Sequence, residues 1–474
     1  MNNILQIDPN AISLISGKQA WHYRIVPASQ ENGKIFLYAE DNLPDDGLTN
    51  ELEMLIGKTI ILQKTKSHTI EALLKTWYPN DQLDTRQQNA FYHGNPDAFL
   101  SHLISEARDL RSSDIHIETF EELCRVRIRV DGMLIQRYLL DKKQYPSLIN
   151  KIKIISNLDI AEKRLPQDGR ILFEHENHQF DIRVSVLPTL YGEKVVLRLL
   201  NNDATDIDIK TLGFSPFDLK NYMEGIKKPN GILLISGPTG SGKTTTLYAT
   251  LKLLNKETRN ILTIEDPIEY TLEGINQVQL KENIGLTFSA ALRTFLRQDP
   301  DIIMLGEIRD TETANMAIRA ALTGHLVLST IHTNSAWGIV SRLIDMGVAP
   351  YLLANTLNTA VAQRLIRLLC PSCKVQQDFK EDQFPGRFQP YKKITAHYVA
   401  KGCSDCFNTG YKGRKAVYEV IPVDEEFAGH IKTMNYNITE AIQQHGIKTL
   451  SENAFELFEK GQTSLDEIYS LLMN

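Results

Sequence analysis

Several absences set the first bounds on this chain. It has no apolar run near the ~20 residues that cross a bilayer; its densest apolar stretches are short, such as Ile232–Ile235. The opening residues Met1–Gln6 lack the basic and apolar regions of a secretory signal, so the chain is expected to stay in the cytoplasm, with any membrane contact peripheral. Basic excess is missing too. With 52 Lys and Arg against 58 Asp and Glu the net charge is -6, which leaves no overall footprint for non-specific nucleic-acid binding. Cysteine is scarce, 5 in 474 residues, which excludes a disulfide scaffold. There is no low-complexity tract and no internal repeat.

What is present fits two or three soluble domains. Residues 1–95 mix short apolar runs with charged stretches and carry no motif with a readable chemistry. From 96 to 205 the pattern is α/β. Phe99, Leu100, Leu103, Ile104, Ala107 and Leu110 recur at helical spacing, and alternating runs at 115–118 and 124–130 follow, the second closed by the turn signal Asp131-Gly132. Further strands are expected at 170–173, 180–186 and 194–200. The polar run Asn201–Asp206 reads as the start of a linker, placed at 206–225. Beyond it, buried strands alternate with helices over 226–474, as in a doubly wound sheet.

The sharpest motif follows strand Ile232–Ser236. Gly237-Pro238-Thr239-Gly240-Ser241-Gly242-Lys243-Thr244 matches the phosphate-binding loop G-x-x-x-x-G-K-[ST] at every fixed position, with a strand before it and a helix after it. Glycines let the backbone aim N–H groups at phosphate oxygens, and the helix that opens there adds its positive dipole end. Lys243 is expected on the β/γ-phosphates of ATP and the Thr244 hydroxyl on Mg²⁺, with Thr245 beside it in the same turn.

Three more buried strands deliver polar groups at their ends. Ile261–Ile264 leads to Glu265, Asp266 and Glu269. Asp301–Leu305 leads to Gly306-Glu307-Ile308-Arg309-Asp310, with the only Asp of the strand at its start, so Glu307 is the expected partner of the attacking water. Leu326–Ser329 is flanked by His325 and His332, either of which is placed to report the γ-phosphate. Taken singly, carboxylates after strands often cap helices and a histidine beside a buried strand is often a packing residue. Following a P-loop in succession, they fit phosphoryl transfer by positioning and charge stabilisation.

Cys370-Pro371-Ser372-Cys373 and Cys403-Ser404-Asp405-Cys406 form two C-x-x-C knuckles. The pattern suits Zn²⁺ bound by four thiolates in a structural site, the competing reading being redox chemistry. Cys124 sits in a strand and reads as inert core.

The motif series Gly237–Thr244, Ile264–Tyr270, Asp301–Asp310 and Gly324–Asn334 resembles the type II secretion and type IV pilus assembly ATPases. Ser113–Glu118, Arg127–Gly132 and Arg164–Arg170 are similar to that family's second N-terminal domain. The resemblance spans about residues 100 to 420. It implies a PAS-like α/β domain followed by a RecA-like motor carrying an inserted tetracysteine zinc element, 366–416, and assembled as a homohexamer. It also implies Glu307, Glu269 and His332 as catalytic groups. Arginines of the preceding domain, Arg170 and Arg183, would meet the phosphates, with Arg293 and Arg297 as candidates from the motor itself. Expected partners are inner-membrane platform and cytoplasmic-domain proteins of a secretion or pilus machine, chosen through residues 1–95. The tetracysteine element favours assembly over retraction, and the run Ala336-Trp337-Gly338 favours secretion over pilus assembly. The rival readings are a RecA-like DNA translocase and a nucleotide sensor that does not hydrolyse.

Overall fold

In the computed structural model the described residues are 96–175, 178–200, 208–386 and 388–473, with a discontinuous set between 11 and 92. The run Asn201–Asp206 lies outside them. The chain divides into two units, one of residues 1–94 with 122–126 and 136–144, the other of the remaining residues. No helix among the described residues is long and apolar enough to cross a membrane.

The first unit holds a small sheet of β1 (Ile25–Glu31), β2 (Lys34–Glu40) and β3 (Thr59–Thr65), with β2 antiparallel to β1 and parallel to β3. Ile25, Val26, Ile35, Leu37 and Ile60 form its core with Leu52, Ile70 and Leu74. A short strand, β4 (Ala90–Tyr92), pairs with the end of a later one, Tyr138–Leu140.

The second unit begins with the helix Pro96–Asp109, whose apolar stripe of Phe99, Leu100, Leu103, Ile104 and Ala107 is buried. Strands β5 (Asp114–Thr119), β6 (Cys124–Val130) and β7 (Met133–Leu140) follow. Asp131 and Gly132 join β6 to β7 with φ of 49° and 84°, the two left-handed residues that a tight hairpin turn of matching twist requires. After the helix Tyr145–Ile155 come β8 (Gln167–His175), β9 (His178–Thr189) and β10 (Gly192–Leu200), with β5, β10, β9 and β8 side by side and antiparallel.

The remaining strands are β11 (Gly231–Ser236), β12 (Ile261–Glu265), β13 (Asn276–Gln279), β14 (Ile302–Leu305), β15 (Leu326–Ile331), β16 (Leu357–Leu369), the small pair β17 (Val375–Asp378) and β18 (Ala396–Val399), and β19 (Tyr411–Pro422). They build a sheet in the order β13-β12-β14-β15-β11-β16-β19, parallel except for β19. Such a sheet is covered on both faces, so its strands are apolar throughout and not alternating. In β11, Ile232 and Leu234 face one core with Ala317 and Ile318, while Leu233 and Ile235 face the other with Leu247 and Leu251.

The sequence reading placed a linker over 206–225, but the structure shows a helix at Pro216–Lys227, capped by Ser215. Tyr222 and Ile226 are buried with Leu233 in the core on one face of the parallel sheet. The helix's apolar positions Leu219, Tyr222, Met223 and Ile226 recur at helical spacing, and half-buried Leu219 and Met223 pack against that core beside the other two.

Close packing of this helix yields a test. A Cβ on Gly225 would lie 2.1 Å from the Thr359 hydroxyl of β16. Gly225→Ala should therefore destabilise the protein by roughly 1–3 kcal/mol through overpacking, seen as a lower thermal midpoint. An unchanged or raised midpoint would mean that the helix is not docked there.

Candidate active site and tetracysteine centre

Register gathers the site. Ser236, the last residue of β11, pairs with Ile331 of β15; Leu305 of β14 pairs with Ser329; and Ile264 of β12 pairs with Leu305. The segments that leave these strands, carrying the P-loop, His332, Glu307 and Asp266, therefore emerge together at the carboxyl edge, where open α/β sheets bind ligands.

Within the P-loop, Gly240 and Gly242 have φ of 79° and 86°, a region that side chains rarely enter. Gly242 caps the helix Lys243–Leu254 without supplying a side chain to the first-turn N–H groups. Lys243 Nζ donates to the carbonyls of Gly237 at 2.7 Å and Pro238 at 3.0 Å. Burial lowers its pKa, opposed by the charge of Glu307. Thr244 is exposed and Thr245 half-buried at the start of the helix.

A chain of ionic contacts crosses the strand ends. Arg309 pairs with Glu307 and approaches Asp266 at 3.7 Å, and His332 Nε2 lies 3.5 Å from the other oxygen of Glu307. Glu307 is thus gripped on both sides and only 16% exposed. Glu265, in contrast, is a buried structural carboxyl. It accepts hydrogen bonds from Thr263 at 2.6 Å, Gln277 at 3.1 Å and the Tyr248 hydroxyl, and burial raises its pKa.

Arg183, on β9 of the preceding domain, reaches into this region. It donates to the carbonyl of Ile268 at 2.5 Å and lies 3.6 Å from Glu269. Arg170 stands opposite Arg183 across β8 and β9 but pairs with Asp181, and it is 63% exposed. Arg293 pairs with exposed Glu312, and Arg297 donates to the Arg293 carbonyl, so within the chain neither meets the P-loop. Of the two histidines, His325 is set aside. It precedes β15, at the opposite edge of the sheet, where its Nδ1 sits 2.9 Å from the carbonyl of Ala320.

Three groups here were missed. Arg309 stands inside a motif that was noticed, but its role needed the fold. Arg198 extends the row from Arg183 on β10 and pairs with Asp114 at 3.0 Å. Arg364 on β16 is a half-buried cation bound to the carbonyls of Gln363 and Asn334, at 3.0 and 2.9 Å; nothing in its sequence surroundings marks it.

Far from the loop, the four knuckle cysteines converge, with all sulfurs within 4.8 Å of one another. Cys370–Cys403, Cys373–Cys406 and Cys403–Cys406 are 3.9, 3.8 and 3.7 Å apart. Disulfide sulfurs would be about 2.05 Å apart, whereas four thiolates around one tetrahedral ion at ~2.3 Å stand about 3.8 Å apart. The donor set therefore fits a metal. Although burial opposes it, the N–H groups of Cys403 and Gly410, each 3.2 Å from Cys406 Sγ, pull that thiol down to about 7.

Fold and site together define a P-loop ATPase. The family model described as "Type II/IV secretion system protein" matches residues 94–470, and the chain belongs to that family. It is 46% identical over 376 residues to type II secretion system protein E of Pseudomonas aeruginosa, covering 78% of this chain and 74% of that one. With protein E of Aeromonas hydrophila it shares 39% over 444 residues, 88% of each. With the type IV pilus assembly ATPase PilB of Myxococcus xanthus it shares 45% over 383 residues, 77% of this chain and 66% of that one. The fold is similar to that of the Legionella pneumophila ATPase DotB, with TM-score 0.61 at 22% identity over 81% of this chain and 99% of that one. It also resembles the pilus retraction motor PilT, with TM-score 0.54 at 24% identity over 78% and 96%.

A metal at the cysteines should be structural. Cys403→Ser should lose most of the bound metal by elemental analysis and lower the thermal midpoint by ~5 °C or more, since loss of such a site removes several kcal/mol. Unchanged metal content would sink this assignment.

Proposed function

We propose that this chain hydrolyses ATP to power pseudopilus or pilus assembly in type II secretion or type IV pilus biogenesis. The observation that carries the reading is the convergence of Lys243, Glu307 and His332 at one sheet edge, with Arg183 reaching Glu269 from the preceding domain. The P-loop from Gly237 to Thr245 holds the phosphates, with Lys243 released from its own carbonyls to the β/γ-phosphates. The Thr244 hydroxyl would hold Mg²⁺, whose chemistry when bound would be to offset phosphate charge. Glu307, clamped by Arg309 and His332, orients the attacking water and accepts its proton, and His332 reports through that contact whether the γ-phosphate is present. Glu269 supports the water's position.

Arg183 is the cation of the preceding, PAS-like domain, and Arg170 beside it serves the same charge on closure. Closure of that domain on the motor couples hydrolysis to movement. We further read the chain as a RecA-like motor working as a homohexamer in the cytoplasm at the inner membrane. Residues 1–95 dock platform or cytoplasmic-domain proteins, Zn²⁺ occupies the four cysteines, and no nucleic acid takes part. Family membership favours this over a DNA translocase.

Steady-state hydrolysis by wild type and Glu307→Gln, with and without DNA, tests the reading. The mutant should lose at least ~100-fold in kcat, the usual contribution of a general base, and keep nucleotide affinity within about threefold. Turnover that survives the substitution, or that appears only with DNA, would overturn it.

A further inference from the structure

One fully buried side chain touches the P-loop from below and has no part in the chemistry above. Gln363, on β16 beside β11, is 2% exposed. Its Nε2 donates to the Ser241 carbonyl at 2.9 Å, and its Oε1 accepts from the Thr246 hydroxyl at 2.9 Å. The Ser241 oxygen can only accept, so the amide orientation is fixed by the network. Behind it, Tyr418, the β19 partner of Gln363, places its hydroxyl 3.3 Å from that of Thr246.

The loop is shaped around this amide. A Cβ on Gly242 would lie 2.9 Å from Gln363 Nε2, and one on Gly237 would lie 2.5 Å from the Gln363 carbonyl oxygen. Two of the three glycines of the motif thus meet the same residue.

We propose that Gln363 is the positioning residue of the phosphate loop, setting the peptide that presents the Gly242 N–H to nucleotide phosphate. In a planar trans peptide the C=O and N–H point in opposite directions. Holding the Ser241 oxygen against β16 turns the Gly242 N–H away from β16. Thr246, donating to the amide oxygen, keeps the amide from rotating and ties the first turn of the helix to the same anchor. Nucleotide then meets a donor already oriented, and affinity rises because less ordering remains to be done on binding.

The inference rests on the reading of Gly237–Thr245 as a nucleotide loop, and titration with a fluorescent ADP analogue and Mg²⁺ separates the two. Gln363→Met keeps the volume and removes both hydrogen bonds. It should raise the dissociation constant and the KM for ATP about tenfold, with kcat changed less than about threefold and the thermal midpoint near that of wild type. Gln363→Glu keeps the shape but donates to Ser241 only when protonated, and burial favours the protonated form. Its affinity relative to wild type should improve by at least about threefold from pH 8 to pH 6, a rescue that mere packing would not give.

A folded Met variant that binds within twofold of wild type, or a Glu variant whose pH profile runs parallel to wild type, overturns the role of Gln363. If one variant does not fold, the other decides. Wild-type protein that fails to bind the analogue overturns the nucleotide reading instead.

Discussion

Six paired residues between β11 and β15, from Gly231↔Leu326 to Ser236↔Ile331, fix where every group of the site stands. A slip of one residue would turn Leu234 out of one core and into the other, since side chains alternate along a strand. The same slip would move His332 by about 3.3 Å relative to the P-loop. Both faces of β11 are packed, so the cores hold the register. Burial of Ile232, Leu233, Leu234 and Ile235 is thus the reason that Lys243, Glu307 and His332 stand together at one edge of the sheet.

The other side of β11 carries the connection outward. Strands β16 and β19 pair from Thr359↔Pro422 to Leu369↔Tyr411, and the cysteine knuckles begin one residue beyond β16 and close before β19. Along this ribbon Glu419, 5% exposed, accepts from the N–H groups of Ala336 at 2.8 Å and Leu450 at 3.1 Å. One end of that carboxyl holds the loop that follows His332; the other holds the helix Leu450–Glu459. At the far end, Lys374 Nζ donates to the Gly461 carbonyl at 2.7 Å, and Thr463 to that of Arg367 at 2.8 Å. The tetracysteine element is therefore pinned to the same helical layer that Glu419 ties to the site. A metal held by the four cysteines would stiffen this strut.

Much of this was legible in the sequence because it is local. The P-loop, the hairpin at Asp131-Gly132, the helix at 96–109 and the two knuckles are each specified by neighbours in the chain. The edge of the sheet at which His325 or His332 falls is decided by strand direction, which the short run Leu326–Ile331 does not declare. Arg309, Arg364 and Gln363 lie beyond such reading for a different reason. Their partners lie up to 122 residues away, and an Arg or Gln beside a buried strand looks the same whether it faces a loop or solvent. The helix at 216–227 is local too, since Leu219, Tyr222, Met223 and Ile226 recur at i, i+3, i+4 and i+7, but the charged and polar residues between them suit a linker equally.

The preceding domain shows two kinds of charge pairing. Inside it, Lys153 is fully buried, pairs with Glu193 and donates to the carbonyls of Asp159 at 3.2 Å and Glu162 at 2.7 Å. Breaking one partner of such a buried pair typically costs ~3–5 kcal/mol, because the other charge is left stranded. The loop before β8 is thereby locked. Against the motor, the contacts are partly solvated: Arg183 and Glu269 are 24% and 38% exposed, and Arg414 and Asp131 are 40% and 25% exposed. Exposed pairs of this sort contribute ~0–1 kcal/mol each. The strands of 114–200 are thus held among themselves by a buried pair and to the segments at Glu269 and Arg414 by solvated ones, and it is the solvated pairs that a change of charge nearby would alter most cheaply.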